Sequence, residues 1–254
     1  MTLLEELTLF IKSILHWLYA FIGFSLFFFL FGLRTVTIYG KDVMLPLLSG
    51  DSFAVQFFKI IQRDLMPSGV EIIVTNPMSG FIAQLQVAMT LAFISVLPLF
   101  LYKIMRYLSP ALFEHEKKAI SRSLILCTLL FIFGCLFAYY YLIPLTFIFM
   151  YPFTTALEVT PFFALDVFMS WVLGILLTTG ITFLFPVFMI VLSFLGIVGP
   201  DFWRNKWRHA LLLLLVFSAV ITPDQTGVTM GLLFIPLALL YSVGSTLASR
   251  SIRS

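Results

Sequence analysis

Long apolar runs recur along the whole chain, each flanked by charged or turn-forming residues. Six of them are candidate membrane spans, at about residues 13–33, 78–102, 123–143, 162–194, 210–222 and 227–248. A bilayer core about 30 Å thick is crossed by a helix of roughly 20 apolar residues. Backbone groups in lipid must hydrogen-bond within their own segment, and these runs do not alternate as barrel strands do, so we predict an all-α protein with six transmembrane helices.

The composition excludes a soluble globular protein. Of the 254 residues, 61% are hydrophobic and only 11% are charged, and a soluble domain of this length cannot bury that much apolar surface. The runs recur to the C-terminus, so a signal peptide ahead of a soluble domain does not explain them. Glu5 and Glu6 argue against a transit peptide. The net charge of +3 is spread over several loops, so we expect no nucleic-acid partner.

Basic residues are concentrated in one of two sets of loops. The poorer set holds only Arg34, Lys41, Lys59 and Arg63, all in the long loop after the first span. The richer set comprises both terminal segments and the loops at about 103–122 and 199–209. Cytoplasmic loops are enriched in Lys and Arg, so the richer loops and both termini are predicted to be cytoplasmic. No repeat or linker is visible, and residues 1–254 are treated as one domain.

The long outer loop contains a predicted amphipathic helix from Asp51 to Leu65. Its apolar residues recur at helical spacing opposite its polar residues, and Asp51 or Ser52 is a suitable N-cap. The apolar residues are Phe53, Phe57, Ile60 and Ile61, and the polar ones are Gln56, Lys59 and Arg63. Such a helix either lies flat on the membrane or packs across the outer end of the helix bundle.

Two features predict irregular spans. Four interior prolines remove backbone hydrogen bonds and should kink or end their helices; they are Pro98, Pro144, Pro186 and Pro236. The fifth apolar run has only thirteen residues, or roughly 20 Å of helix. We therefore expect the bilayer to be thinned beside it. The alternative is that this helix continues inward through Trp203.

No group of residues for catalysis or metal binding stands out. His16, His115 and His209 each lie at a predicted inner boundary, and none has a second His or a Cys at metal-ligand spacing. We expect neither an enzyme nor a metal or cofactor site. Cys127 and Cys135 are eight residues apart, about 12 Å along a helix, so they cannot form a disulfide with each other.

A few ionisable residues lie close to the membrane, where burying a charge is costly. Asp166 lies one turn into the fourth span, and Asp224 lies in the outer turn between the fifth and sixth. Each is either an ordinary helix cap or solvated turn residue, or a residue with a direct role in the protein's function. Glu114 and Glu116, beside two lysines in the first inner loop, form either a solvated charge cluster or part of a binding site.

That inner loop carries the most specific motif. Residues 109–118 read Ser-Pro-Ala-Leu-Phe-Glu-His-Glu-Lys-Lys, which closely resembles the first cytoplasmic loop of the TatC family, the core subunits of the twin-arginine protein translocase. The resemblance extends over nearly the whole chain in the family's order. The further matching positions are Pro46, Gly69-Val70 through Asn76-Pro77, Phe133-Gly134, Phe137 to Tyr140, Pro144, Thr222-Pro223-Asp224, Ile235-Pro236 and Leu240-Tyr241.

The resemblance implies a cup of six helices in the cell membrane, or in an organelle membrane if the protein is organelle-encoded. It implies that Glu116, Glu6 and Tyr107 bind twin-arginine signal peptides at the cytoplasmic face. It further implies single-span partners of the TatA and TatB type, a multi-copy complex, and export of folded proteins driven by the proton gradient. Structural or partner-contact roles are implied for Pro46, Pro110, Gly134, Pro144, Pro186, Asp224 and Pro236.

The chain departs from the family pattern at several positions. Thr8 and Phe10 stand where arginines are common near the N-terminus, Leu184 replaces a frequent Glu or Gln, and Ser242 replaces a frequent Glu. The main alternative function is a small secondary transporter or channel, which needs polar groups near the midplane of the membrane. The spans show no midplane charge, and no repeat relates the two halves of the chain.

Overall fold

The computed structural model describes residues 3–38, 41–48, 51–66, 70–108, 117–156, 162–194, 197–199, 202–222 and 227–251. Within these ranges most residues are helical, and the predicted fold class is confirmed. Four helical segments are long and apolar enough to cross a membrane, at Ser79–Lys103, Leu124–Thr154, Leu165–Ser193 and Val228–Ala248. Two shorter apolar helices, Leu15–Leu30 and Trp207–Ile221, correspond to the first and fifth predicted spans. The count of six transmembrane helices, the cup and the cytoplasmic termini stay predictions.

The chain packs as two compact units, of which the first comprises Met1–Tyr107 and Pro161–Leu173. Its two long helices are α1 (Leu3–Leu30) and α3 (Ser79–Leu108). The ring centroids of Trp17 and Phe100 lie 4.9 Å apart, and those of Phe29 and Phe81 lie 5.6 Å apart. Because residue numbers rise along α1 as they fall along α3 between these contacts, the two helices pack antiparallel.

The outer loop contains strands that the sequence analysis did not predict. Strand β1 (Phe31–Ile38) pairs antiparallel with β2 (Lys41–Leu48), and Leu33 lies opposite Pro46. A two-stranded sheet leaves each strand with a free edge, where a proline without an N–H group is tolerated. A second pair, β3 (Glu71–Ile73) and β4 (Phe162–Ala164), is parallel.

The predicted amphipathic helix is present as α2 (Phe53–Leu65). Its N-cap is Ser52, whose Oγ accepts a 3.4 Å hydrogen bond from the backbone N–H of Val55. The Phe53 ring contacts the rings of Phe27 and Phe28 on α1, so α2 packs against α1. On the predicted apolar face, Ile61 is buried and Ile60 is exposed.

The second unit comprises Leu108–Thr160 and Gly174–Ser254. It begins with α4 (Lys117–Phe137), which continues through a π-helix (Ala138–Leu142) into α5 (Ile143–Thr155). The third apolar segment therefore extends well beyond its predicted end at residue 143. Helix α6 (Leu165–Thr182) enters this unit from the first, and α7 (Phe185–Phe194) follows. A short α8 (Phe202–Asn205) precedes α9 (Trp207–Ile221), and α10 (Val228–Ser251) packs against α7 and α9.

The four interior prolines have different consequences. Pro144 lies in the first turn of α5, directly after the π-helix, where its missing N–H group removes no regular helical bond. Pro186 lies in the first turn of α7, after a break at residues 183–184. The backbone N–H of Leu184 bonds to the Ile181 carbonyl there. Pro98 and Pro236 lie inside α3 and α10, and neither ends its helix.

Candidate functional site

Two of the three residues predicted to bind signal peptides fall on helices of the first unit. Glu6 lies on α1, eleven residues before Trp17, and Tyr107 lies on α3, seven residues after Phe100. These separations correspond to roughly 16 Å and 10 Å of helix beyond the contact between the two rings. Because α1 and α3 are antiparallel, Glu6 and Tyr107 lie at the same end of the unit. Glu116 lies outside the described residues.

A polar contact that the sequence analysis missed joins α3 to the start of α6 within the first unit. The Gln86 side-chain amide donates a 2.8 Å hydrogen bond to the Ser170 hydroxyl, which donates a 2.7 Å bond to the Asp166 carbonyl. The Gln86 Oε1 and Asp166 Oδ1 atoms are buried and have no hydrogen-bond partner among the described residues. A glutamine inside an apolar run is the sequence signal for such a contact. Asp166 itself lies in the first turn of α6, where a helix favours negative charge.

Gly134 lies at a close approach between two helices of the second unit. A Cβ atom built there lies 2.8 Å from Phe183 Cγ and 3.0 Å from the Gly180 Cα atom. A Cβ at Gly180 in turn lies 2.6 Å from the Cys135 sulfur. The two glycines therefore let α4 and α6 cross in contact, and the fully buried Phe183 fills the space beside them.

A second tight cluster joins α7, α8 and α10. The Tyr241 hydroxyl donates a 2.5 Å hydrogen bond to the Trp203 carbonyl, and the Trp203 indole N–H donates a 2.9 Å bond to the Ser193 hydroxyl. The Phe185 ring stacks on Tyr241 with 6.4 Å between centroids. A Cβ at Gly244 lies 3.0 Å from the Pro186 Cα atom. Tyr241 is one of the positions that resemble the family, but its contact with Trp203 was not predicted from the sequence.

The remaining predicted positions are scattered over both units. Pro46 lies on β2, Pro144 at the start of α5, and Pro236 inside α10. Pro110 and Asp224 lie outside the described residues. Neither these positions nor the signal-peptide residues converge on a single cluster within the described residues, so their roles stay predictions.

The architecture defines the class of protein. It is a multi-pass helical membrane protein, and apolar helices make up most of its chain. The sequence then matches the family described as Sec-independent protein translocase protein (TatC) over residues 4–236. The chain belongs to this family.

Relatives and solved structures agree with the family match. The TatC protein of Aquifex aeolicus is 32% identical over 204 residues, which cover 79% of this chain and 84% of that protein. The TatC protein of Cenarchaeum symbiosum is 36% identical over 78% of this chain and 75% of its own length. A crystal structure described as the twin arginine translocase receptor TatC has a TM-score of 0.74 and 28% identity, covering 97% of this chain and 99% of that chain.

The family assignment settles the broad function. The chain is a membrane-embedded subunit of the Sec-independent protein translocase, and it acts in protein transport as a component of a translocase. The family is a transport family and not an enzyme family. The predicted resemblance and the membrane location are both confirmed.

Proposed function

We propose that this chain is the subunit that binds twin-arginine signal peptides at the cytoplasmic face and recruits single-span partners of the TatA and TatB type. Folded cargo then crosses the assembled complex, driven by the proton gradient. The observation that carries the proposal is the family match over residues 4–236. The Pro110-to-Lys118 motif lies inside this range.

The chemistry of the inner loop suits the recognition of paired arginines. A guanidinium group donates two parallel hydrogen bonds to a carboxylate, and such charge-assisted pairs are stronger than neutral ones. Glu116 is the main candidate acceptor and Glu6 the second. The placement of Glu6 and Tyr107 at one end of the first unit supports a shared surface there. Tyr107 would supply an aromatic face for the guanidinium groups.

The departures from the family pattern affect which residues would bind the signal peptide and which would recruit partners. Thr8 and Phe10 stand where the family commonly has arginines, so the N-terminal segment lacks the usual charges. Glu116 would therefore carry a larger share of recognition. In the same way, Leu184 removes the polar group of the fourth helix, so partner recruitment would rely on other positions, with Asp224 and the proline positions as candidates.

A pair of matched variants tests the signal-peptide site. A photoreactive twin-arginine signal peptide should crosslink to the wild-type chain in membranes, and Glu116→Ala should reduce that crosslinking roughly tenfold, since a charge-assisted hydrogen bond contributes about 1.5–3 kcal/mol. Glu114→Ala removes one carboxylate from the same loop and should leave crosslinking unchanged. Equal crosslinking in wild type and Glu116→Ala, with both proteins folded, would refute a role for Glu116.

A further inference from the structure

The segment that leads into α9 carries an exposed basic and aromatic surface, defined by Phe202, Arg204, Lys206, Trp207 and Arg208. All five residues are exposed, and the exposed fraction is 46% for Phe202 and 48% for Trp207. The Arg208 guanidinium carbon lies 5.4 Å from the centroid of the Trp207 ring. Cations and large aromatic side chains thus share one short stretch of chain.

The position of this surface along α9 sets its depth in the membrane. From Ala210 onwards α9 consists almost wholly of apolar residues, and Leu212, Leu213 and Val216 are all exposed. An exposed apolar helix of a membrane protein contacts lipid chains. The basic and aromatic surface therefore lies where the chain passes from water into lipid, a depth at which Trp and basic residues are enriched.

Hydrogen bonds to neighbouring helices also hold this segment in place. Trp203, the second residue of the same segment, is bound to Ser193 of α7 and to Tyr241 of α10 by the two hydrogen bonds described above. Fixing α8 in this way positions Arg204 in advance, so less ordering entropy is lost when a ligand binds.

Within the described stretches around this surface, no carboxylate offsets its positive charge. No residue in 197–199 or 202–222 is acidic, and the single acid between those ranges, Asp201, lies outside the described residues. Helix α9 has no acidic residue in its first turn. We propose that this surface binds the phosphate headgroup of an anionic phospholipid, with Arg204, Lys206 and Arg208 around the headgroup and Trp207 beside its glycerol region. This inference needs only the membrane location of the chain and is independent of signal-peptide binding.

Native mass spectrometry of the purified full-length chain tests the proposal. Phosphatidylglycerol and phosphatidylcholine with identical acyl chains would be supplied at equal concentration, and the wild type should retain phosphatidylglycerol preferentially. The triple variant Arg204→Gln, Lys206→Gln, Arg208→Gln should reduce that preference on the order of a hundredfold, because each of the three cations near an anionic surface contributes about 1 kcal/mol. The preference should also weaken with added salt.

Three controls keep the result specific. The charge-preserving Arg204→Lys, Arg208→Lys variant should keep the preference. The triple variant Lys41→Gln, Lys59→Gln, Arg63→Gln removes the same charge from the predicted outer loop and should also keep it. A photoreactive phosphatidylglycerol should label the peptide that contains residues 202–208.

Wild-type preference in the Arg204/Lys206/Arg208 variant, or labelling elsewhere only, would overturn the proposal. Inorganic phosphate should weaken the preference no more than sodium chloride does at the same ionic strength; stronger displacement by phosphate, or loss of a protein partner with lipid preference intact, would equally count against a lipid site.

Discussion

Gly134 and Phe183 are in such close contact that a Cβ atom on Gly134 would lie 2.8 Å from the Phe183 ring carbon Cγ. Phe183 is completely buried, so it cannot turn toward the surface without disrupting its neighbours. We predict that Gly134→Ala destabilises the protein by about 1–3 kcal/mol, the usual cost of overpacking a tight core. Thermal unfolding in detergent measures this.

Gly231→Ala is the matched control for that substitution, because Gly231 lies inside α10 and a Cβ atom there meets nothing within 4 Å. It should be neutral or stabilise the protein slightly, since alanine has the higher helix propensity. Adding Phe183→Ala to Gly134→Ala should cost less than the sum of the two single changes, because alanine at residue 183 lacks the Cγ atom that the new Cβ would meet. Additive effects would show that the contact is not tight.

Tyr241→Phe tests the cluster that holds α8. The variant removes the hydroxyl that bonds to the Trp203 carbonyl, and we expect the local opening of α8 to become easier by about 1 kcal/mol. Trypsin should then cleave after Arg204 and Lys206 roughly fivefold faster. Tyr140→Phe, at a tyrosine that is 65% exposed, should leave the cleavage rate unchanged. An unaltered rate in Tyr241→Phe would mean that this hydrogen bond does not restrain the segment.

The short fifth span is the basis for predicting that the bilayer is thinned beside it. Helix α9 has 15 residues, or about 22 Å of helix, against a hydrocarbon core about 30 Å thick. Helix α8 is separate and ends at Asn205, so the fifth span does not run as one regular helix from Trp203. We predict that spin labels at residues 208 and 222, in a Cys127→Ala, Cys135→Ala background, both report headgroup depth.

Labels at residues 228 and 248 of α10 provide the comparison, because about 30 Å of helix separates them and they should report a bilayer of ordinary thickness. The thinning prediction fails if residue 208 lies well inside the hydrocarbon while the bilayer beside α9 is as thick as that beside α10.

Much of the helical architecture could be predicted because burial of apolar side chains produces long apolar runs and helical periodicity in the sequence. The six apolar runs and α2 with its Ser52 cap follow from composition, periodicity and capping chemistry. The hairpin of β1 and β2 was missed, although residues 31–38 are rich in β-branched side chains, because within the outer loop only the amphipathic helix was predicted. The extension of the third segment to Thr155 was missed because Pro144 suggested an end, whereas the preceding π-helix accommodates it.

The contacts of the site were harder to predict than the helices. Trp203 and Tyr241 are 38 residues apart, and Gln86 and Ser170 are 84 apart, so their pairing depends on how helices pack. Packing partners of this kind leave no local pattern in a single sequence. The signal-peptide residues were identified from a family motif, which names residues without giving their geometry.

Co-purification with a twin-arginine signal peptide tests the proposed function most directly. The tagged chain, extracted in mild detergent, would be offered the peptide with its Arg-Arg pair and the same peptide with Lys-Lys. Because lysine keeps the charge but loses the planar, bidentate donor geometry of arginine, the account predicts retention of the Arg-Arg peptide and loss of the Lys-Lys peptide. Equal retention of both peptides, or of neither by a folded chain, would contradict it.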